Sequence, residues 1–246
     1  MSLLSSEIEK LTGTFNDYIT EKTVGALSIL LNEPIKHELT MFENNLNSIN
    51  FNLPSDEIKM CSVRLNGKGD LHIELLYTVK LHHAVKIASK LIGTEVYEID
   101  EMGTSALQEV ANILTGSFFN ALSDNTGFCI DLSTPTFKEG EIRNLLLDPT
   151  KDVIRITNDV MITDVLLIGA TTGIEIHMLI IQHTEHARKL IYSGIKNSGN
   201  FEPANLLNND RLGGENSAIE ELLDMYNENI PNNISKDDIL KSGVTK

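Results

Sequence analysis

The sequence predicts an α+β fold: a tandem, pseudo-two-fold α-β-β-β-α repeat that shares one mostly antiparallel sheet, with two long helices side by side on one face. Three observations predict it. Ile8, Leu11, Phe15, Ile19, Ala26 and Leu30 fall near helical spacing, and a second helical stretch follows at 105–124. Each long stretch is followed by shorter strand-like runs and a closing helix. Two short segments recur in the same order: Ala26-Leu27-Ser28 as Ala121-Leu122-Ser123, and His83-Ala84-Val85-Lys86 as His186-Ala187-Arg188-Lys189. Neither half has enough strands to cover a helix pair alone, so the halves share one sheet.

Taken in order, Ser6 and Glu9 have the spacing of a capping box and open a helix running to about Asn32, closed by Pro34. Strands are expected at 35–42, 58–65 and 71–77, with Asn66-Gly67-Lys68-Gly69 as the hairpin turn between the last two. A helix at 81–91 stops at Gly93. The second half repeats this with a helix over 105–124, ended by Asn125-Thr126-Gly127. Strands follow at 128–132, 153–157, 161–168 and 174–181, then a helix at 185–195. The expected boundaries are a domain over 1–197, with halves of about 1–100 and 101–197, and a flexible tail over 198–246. Residues 201–246 hold nine acidic, four basic and eight Asn residues. A short helix is expected within that tail at 217–229.

Composition excludes several classes. The formal charge of -15 repels phosphate backbones and anionic lipid, so neither nucleic acid nor a membrane surface is expected as partner. The start has no basic-then-apolar pattern, and no apolar run nears the ~20 residues of a membrane span. The expectation is a soluble, cytoplasmic protein in which Cys61 and Cys129 are buried thiols. The His82-His83 and His183/His186 groups lack a third ligand at fixed spacing, so no metal site is expected. Gly169-Ala170-Thr171-Thr172-Gly173 is turn-like, but it lacks the Lys-Ser/Thr ending of a phosphate loop.

The chemistry lies in the second long helix. At about 100° per residue, Ser105, Glu109 and Asn112 share roughly a 60° sector, away from the core spacing of Leu107, Val110, Leu114, Phe118 and Ala121. Ser105 suits the helix cap. Ser105, Glu109 and Asn112, followed after twenty-two intervening residues by Pro135, resemble the signature of the CheC/CheX/FliY phosphatase family. The resemblance implies hydrolysis of the aspartyl phosphate of a CheY-type chemotaxis response regulator. It implies that Glu109 pairs with the receiver's Lys. An amide at Asn112 suits the orienting of an in-line water without adding negative charge. Pro135 shapes a turn or strand start. The chain needs no cofactor of its own; Mg²⁺ is expected in the phosphorylated partner.

With Ala26-Leu27-Ser28 setting the register, the first half places Thr14 and Asp17 opposite Glu109 and Asn112, and Lys10 and Thr40 opposite Ser105 and Pro135. None matches, and Asp17 would set a carboxylate against a phosphoryl group. A single working site in the second half is therefore expected. The alternative is a non-catalytic interaction module. The flagellar switch protein's middle domain is similar in fold without the signature, and CheC relatives bind the deamidase CheD.

Overall fold

The computed structural model describes residues 3–43, 59–154 and 160–197, which belong to the unit Met1–Asn200. The second unit, Phe201–Lys246, lies outside the described residues, and with it the expected helix at 217–229.

The first helical stretch consists of α1 (Ser5–Tyr18), a π-helical turn (Ile19–Thr23) and α2 (Val24–Leu31). Leu4 is the N-cap residue, and its N–H donates to the Glu7 carboxylate at 2.9 Å. Glu7, rather than the expected Ser6–Glu9 pair, closes the first turn. Asn32 ends the stretch in the left-handed conformation (φ 50°) just ahead of Pro34.

Strand β1 (Ile35–Glu43), β2 (Lys59–Gly69), β3 (His72–Lys80) and α3 (Leu81–Ile92) complete the first half. The hairpin turn falls after Asn66-Gly67-Lys68, which pair with β3 as strand residues. Gly69 turns the chain at φ 148°, where a Cβ would collide with the Cys129 carbonyl. In the second half come α4 (Glu101–Thr126), β4 (Ile130–Leu132), β5 (Thr136–Glu141), α5 (Ile142–Ile154), β6 (Val160–Gly169), β7 (Glu175–His183) and α6 (Thr184–Asn197).

Two expectations fail here. Val153 and Ile154 end helix α5 rather than opening a strand at 153–157, and residues 155–157 lie outside the described ones. A short apolar run does not distinguish strand from helix end. Strand β5 and helix α5 were not expected: Gly140 and three charges interrupt the β5 pattern, and Pro149 sits inside α5.

The sheet order is β1-β6-β7-β3-β2, with β4 and β5 both along the outer edge of β2, and every pairing is antiparallel. The two halves meet at β3–β7 and exchange their first strands, since β1 pairs with β6 and β5 with β2. Alternation then sorts the side chains. Leu65, Ile73, Leu75, Met178 and Ile180 face the long helices, while Met60, Leu76, Ile162, Leu179 and Ile181 pack with Ile142, Leu145 and Leu146 of α5. The long helices lie side by side on the first face. Phe118 of α4 meets Phe15 at 5.8 Å and Tyr18 at 6.5 Å between ring centroids.

The recurring His-Ala-x-Lys segments have a shared task. His83 Nδ1 accepts the N–H of Glu175 at the start of β7 (3.2 Å), and His186 Nδ1 accepts that of His72 at the start of β3 (3.1 Å). Each closing helix therefore caps the central strand of the opposite half.

Candidate functional site

Helix α4 presents the candidate site. Asp100 is its N-cap: the carboxylate accepts the Gly103 N–H at 2.8 Å. Ser105 does not cap the helix. It stands one turn inside, exposed, with its hydroxyl donating to the Glu101 carbonyl at 2.9 Å. The helix ends at Gly127, left-handed at φ 73°.

The buried side of α4 fixes how the other side points. Leu107, Val110, Ala111, Leu114 and Phe118 are 0–5% exposed. Thr115 shares a buried hydrogen bond with the Tyr77 hydroxyl (3.0 Å), and that burial pushes the phenol's pKa upward. Phe119 packs close over β2. A Cβ at Gly67 would lie 2.7 Å from the ring's Cζ, so only glycine admits this approach.

On the outward side, Asn112 is exposed and Glu109 partly exposed, one turn apart on the same face. Neither side chain has a hydrogen-bond or ion-pair partner among the described residues. Both are therefore unengaged by the described part of the chain. Pro135 is partly exposed immediately before β5. Its carbonyl accepts from Gln108 Nε2 of α4 at 3.0 Å, and Asn66 of β2 bonds Ser133 in both directions. The Ser133–Pro135 segment is thus tied to α4 on one side and to the sheet on the other. Gln108 went unnoticed in the sequence because its partner lies 27 residues away with no local pattern.

The first-half counterparts require correction. The first helical stretch has 27 residues (5–31) and α4 has 26 (101–126); the N-caps Leu4 and Asp100 are 96 apart, whereas the C-caps Asn32 and Gly127 are 95 apart. The extra residue is the π turn, which inserts one position into an α-helical frame. Buried positions agree: Glu7, Leu11, Phe15 and Tyr18 plus 96 give the buried Gly103, Leu107, Ala111 and Leu114. So Glu109 and Asn112 correspond to Gly13 and Asn16, not to Thr14 and Asp17, and Ser105 corresponds to Glu9, not Lys10. Thr14 instead bonds the Lys10 carbonyl, and Asp17 is exposed. Thr40 lies within β1, paired with Asp164, unlike the strand-breaking Pro135.

The remaining candidates have structural roles. The Gly169–Gly173 turn cradles an anion, but an internal one: the Thr171 and Thr172 N–H groups donate to the Glu33 carboxylate at 2.8 and 2.9 Å. Cys61 is buried, which together with Glu139 pushes its thiol up to about 12. Cys129 is exposed, against the expectation, because it precedes the short edge strand β4.

Comparison with known proteins places these features. The CheC-like family model matches residues 102–139, a stretch containing Ser105, Glu109, Asn112 and Pro135. That stretch of the chain is similar to the CheC-like family. A curated relative, the CheY-P phosphatase CheC of Bacillus subtilis, is 31% identical over 84 residues, covering 32% of this chain and 40% of the relative's length. Among solved structures, Thermotoga maritima FliY superposes with a TM-score of 0.62 at 18% identity, over 80% of this chain and 99% of that one. The FliM middle domain of H. pylori gives 0.54 at 9% identity, over 78% and 99%. The chain thus shares its fold with both. No helix among its described residues is long and apolar enough to cross a membrane.

Proposed function

We propose that this CheC-like chain hydrolyses the aspartyl phosphate of a CheY-type receiver at one centre, formed by Glu109 and Asn112. The observation that carries the reading is a carboxylate and an amide one turn apart, unburied and unpartnered among the described residues, within the stretch that the CheC-like family model matches. The curated relative named as a CheY-P phosphatase supports the substrate class.

In this mechanism Glu109 pairs with the receiver's active-site Lys and fixes the docking register through a charge-assisted bond. Asn112 accepts a hydrogen bond from a water held in line with the phosphorus and donates to a phosphoryl oxygen. Water oxygen bonds to phosphorus as the bond to the aspartate oxygen breaks. The aspartate leaves as a carboxylate, and the water's proton ends on phosphate or solvent. Positioning carries the rate, so no nucleophile is needed in this chain. The receiver brings its own Mg²⁺. Ser133–Pro135, tied down by Gln108 and Asn66, forms a stiff shoulder beside the helix.

Inorganic phosphate release from a phosphorylated CheY-type receiver tests this. Wild-type chain accelerates release, and Glu109→Ala and Asn112→Ala each lose about a hundredfold or more of that acceleration. Undiminished activity in Asn112→Ala contradicts the assignment.

A second reading is favoured by the likeness to the FliM middle domain: an interaction module without turnover, with a CheD-type deamidase among its candidate partners. Deamidase capture unaffected by both substitutions, with no acceleration by the wild type, selects that reading.

A further inference from the structure

We propose that the first half holds a latent second centre that keeps its amide and lacks its carboxylate. The inference rests on the reading of Glu109 and Asn112 given above. The extra residue of the π turn at Ile19–Thr23 sets Asn16 in the place of Asn112 and Gly13 in that of Glu109. The caps at both ends of the two helices fix this register, and so does the burial of Leu11, Phe15 and Tyr18.

Asn16 is exposed, as Asn112 is. Its carboxamide oxygen accepts from His37 Nε2 of β1 at 2.8 Å, so the amide is held in place by the neighbouring strand. Thr20 reaches the same nitrogen at 3.5 Å. Gly13 lies one turn before Asn16 on the same face, exposed, with nothing among the described residues within 4 Å of a Cβ built there. A side chain at that position meets no obstacle from them. Without one, the first half can offer an amide to a phosphoryl group but has no anion at the position of Glu109 with which to hold the receiver's Lys. The centre is silent because docking fails, not because the amide is missing.

Adding the carboxylate tests this. Four full-length proteins are compared on a CheY-type receiver phosphorylated with acetyl phosphate: wild type, Asn112→Ala, Asn112→Ala with Gly13→Glu, and the latter with Asn16→Ala. Circular dichroism and thermal melting verify that all four are folded. Asn112→Ala falls to the receiver's own rate. Gly13→Glu in that background restores release by about tenfold or more, as regained positioning should. Asn16→Ala then abolishes it, which assigns the recovery to the first half. A folded double variant that stays at the receiver's own rate, while the wild type is active, overturns the latent centre and leaves the second-half mechanism standing. An inactive wild type overturns both.

Discussion

Glu33 shows how a single side chain joins the halves. It follows α2, is 6% exposed, and takes three hydrogen bonds from the turn between β6 and β7: the Thr172 hydroxyl at 2.6 Å and the two N–H groups already named. Lys90 adds an ion pair at 3.5 Å. Burial opposes ionisation, but Thr172, Thr171 and Lys90 outweigh it and hold the carboxyl down to about 2, below its ordinary 4.5. The stabilisation is full above pH 4.5 and is lost as pH falls toward about 2. Glu33→Gln should therefore cost on the order of 2 kcal/mol at pH 7. Urea unfolding at several pH values should show the gap to wild type narrowing between pH 4.5 and about 2. None of this is visible in the sequence, because Thr171 and Thr172 lie 138 and 139 residues away. Glu109 and Asn112 were legible, since a polar pair on the outer face of an amphipathic helix leaves a spacing to read. Asn16 was not: one inserted helical residue shifts the register without marking the sequence.

At the scale of the element, the first helix carries its own flaw. Gly13 is exposed mid-helix and its backbone freedom opposes helix formation. Gly13→Ala should raise stability by about 0.5–1 kcal/mol. Chemical denaturation reads this as a shifted midpoint at constant slope. The contact between the long helices is the converse case. Phe118 is fully buried against Phe15 and Tyr18, and Phe118→Ala should cost about 3–5 kcal/mol. Helices with strong apolar periodicity, such as α3 and α4, were readable to within a few residues. Strand β5 and helix α5 were not, since Gly140, Pro149 and interspersed charges mask their periods. Their order comes from the β2 edge and from the core under α5.

Across the whole molecule, the two histidine caps join what the sequence divides. Each closing helix holds a strand of the other half, so the halves fold as one. Burial lowers the pKa of both His83 and His186. Around His83 stand His82, Glu175, Lys80 and Lys86; around His186, Lys189, His183 and His72. A base whose folded pKa is lowered contributes stability above its ordinary 6.5 and loses it as pH falls below that. Wild-type stability should therefore decline below pH 6.5. His83→Asn with His186→Asn keeps an acceptor without a proton to gain, and should flatten that part of the decline in urea unfolding. The repeated segments made the tandem architecture legible because they mark equivalent positions in both halves. The exchange of β1 and β5 was not, because strand pairing is a property of distant chain segments that leaves no local pattern.

Steady-state kinetics on a phosphorylated CheY-type receiver test most directly whether Glu109 docks and Asn112 acts on the water. The account predicts that Glu109→Ala acts chiefly by raising KM, while Asn112→Ala lowers kcat with KM little changed. Equal effects of both substitutions on KM alone, with kcat intact, would contradict it.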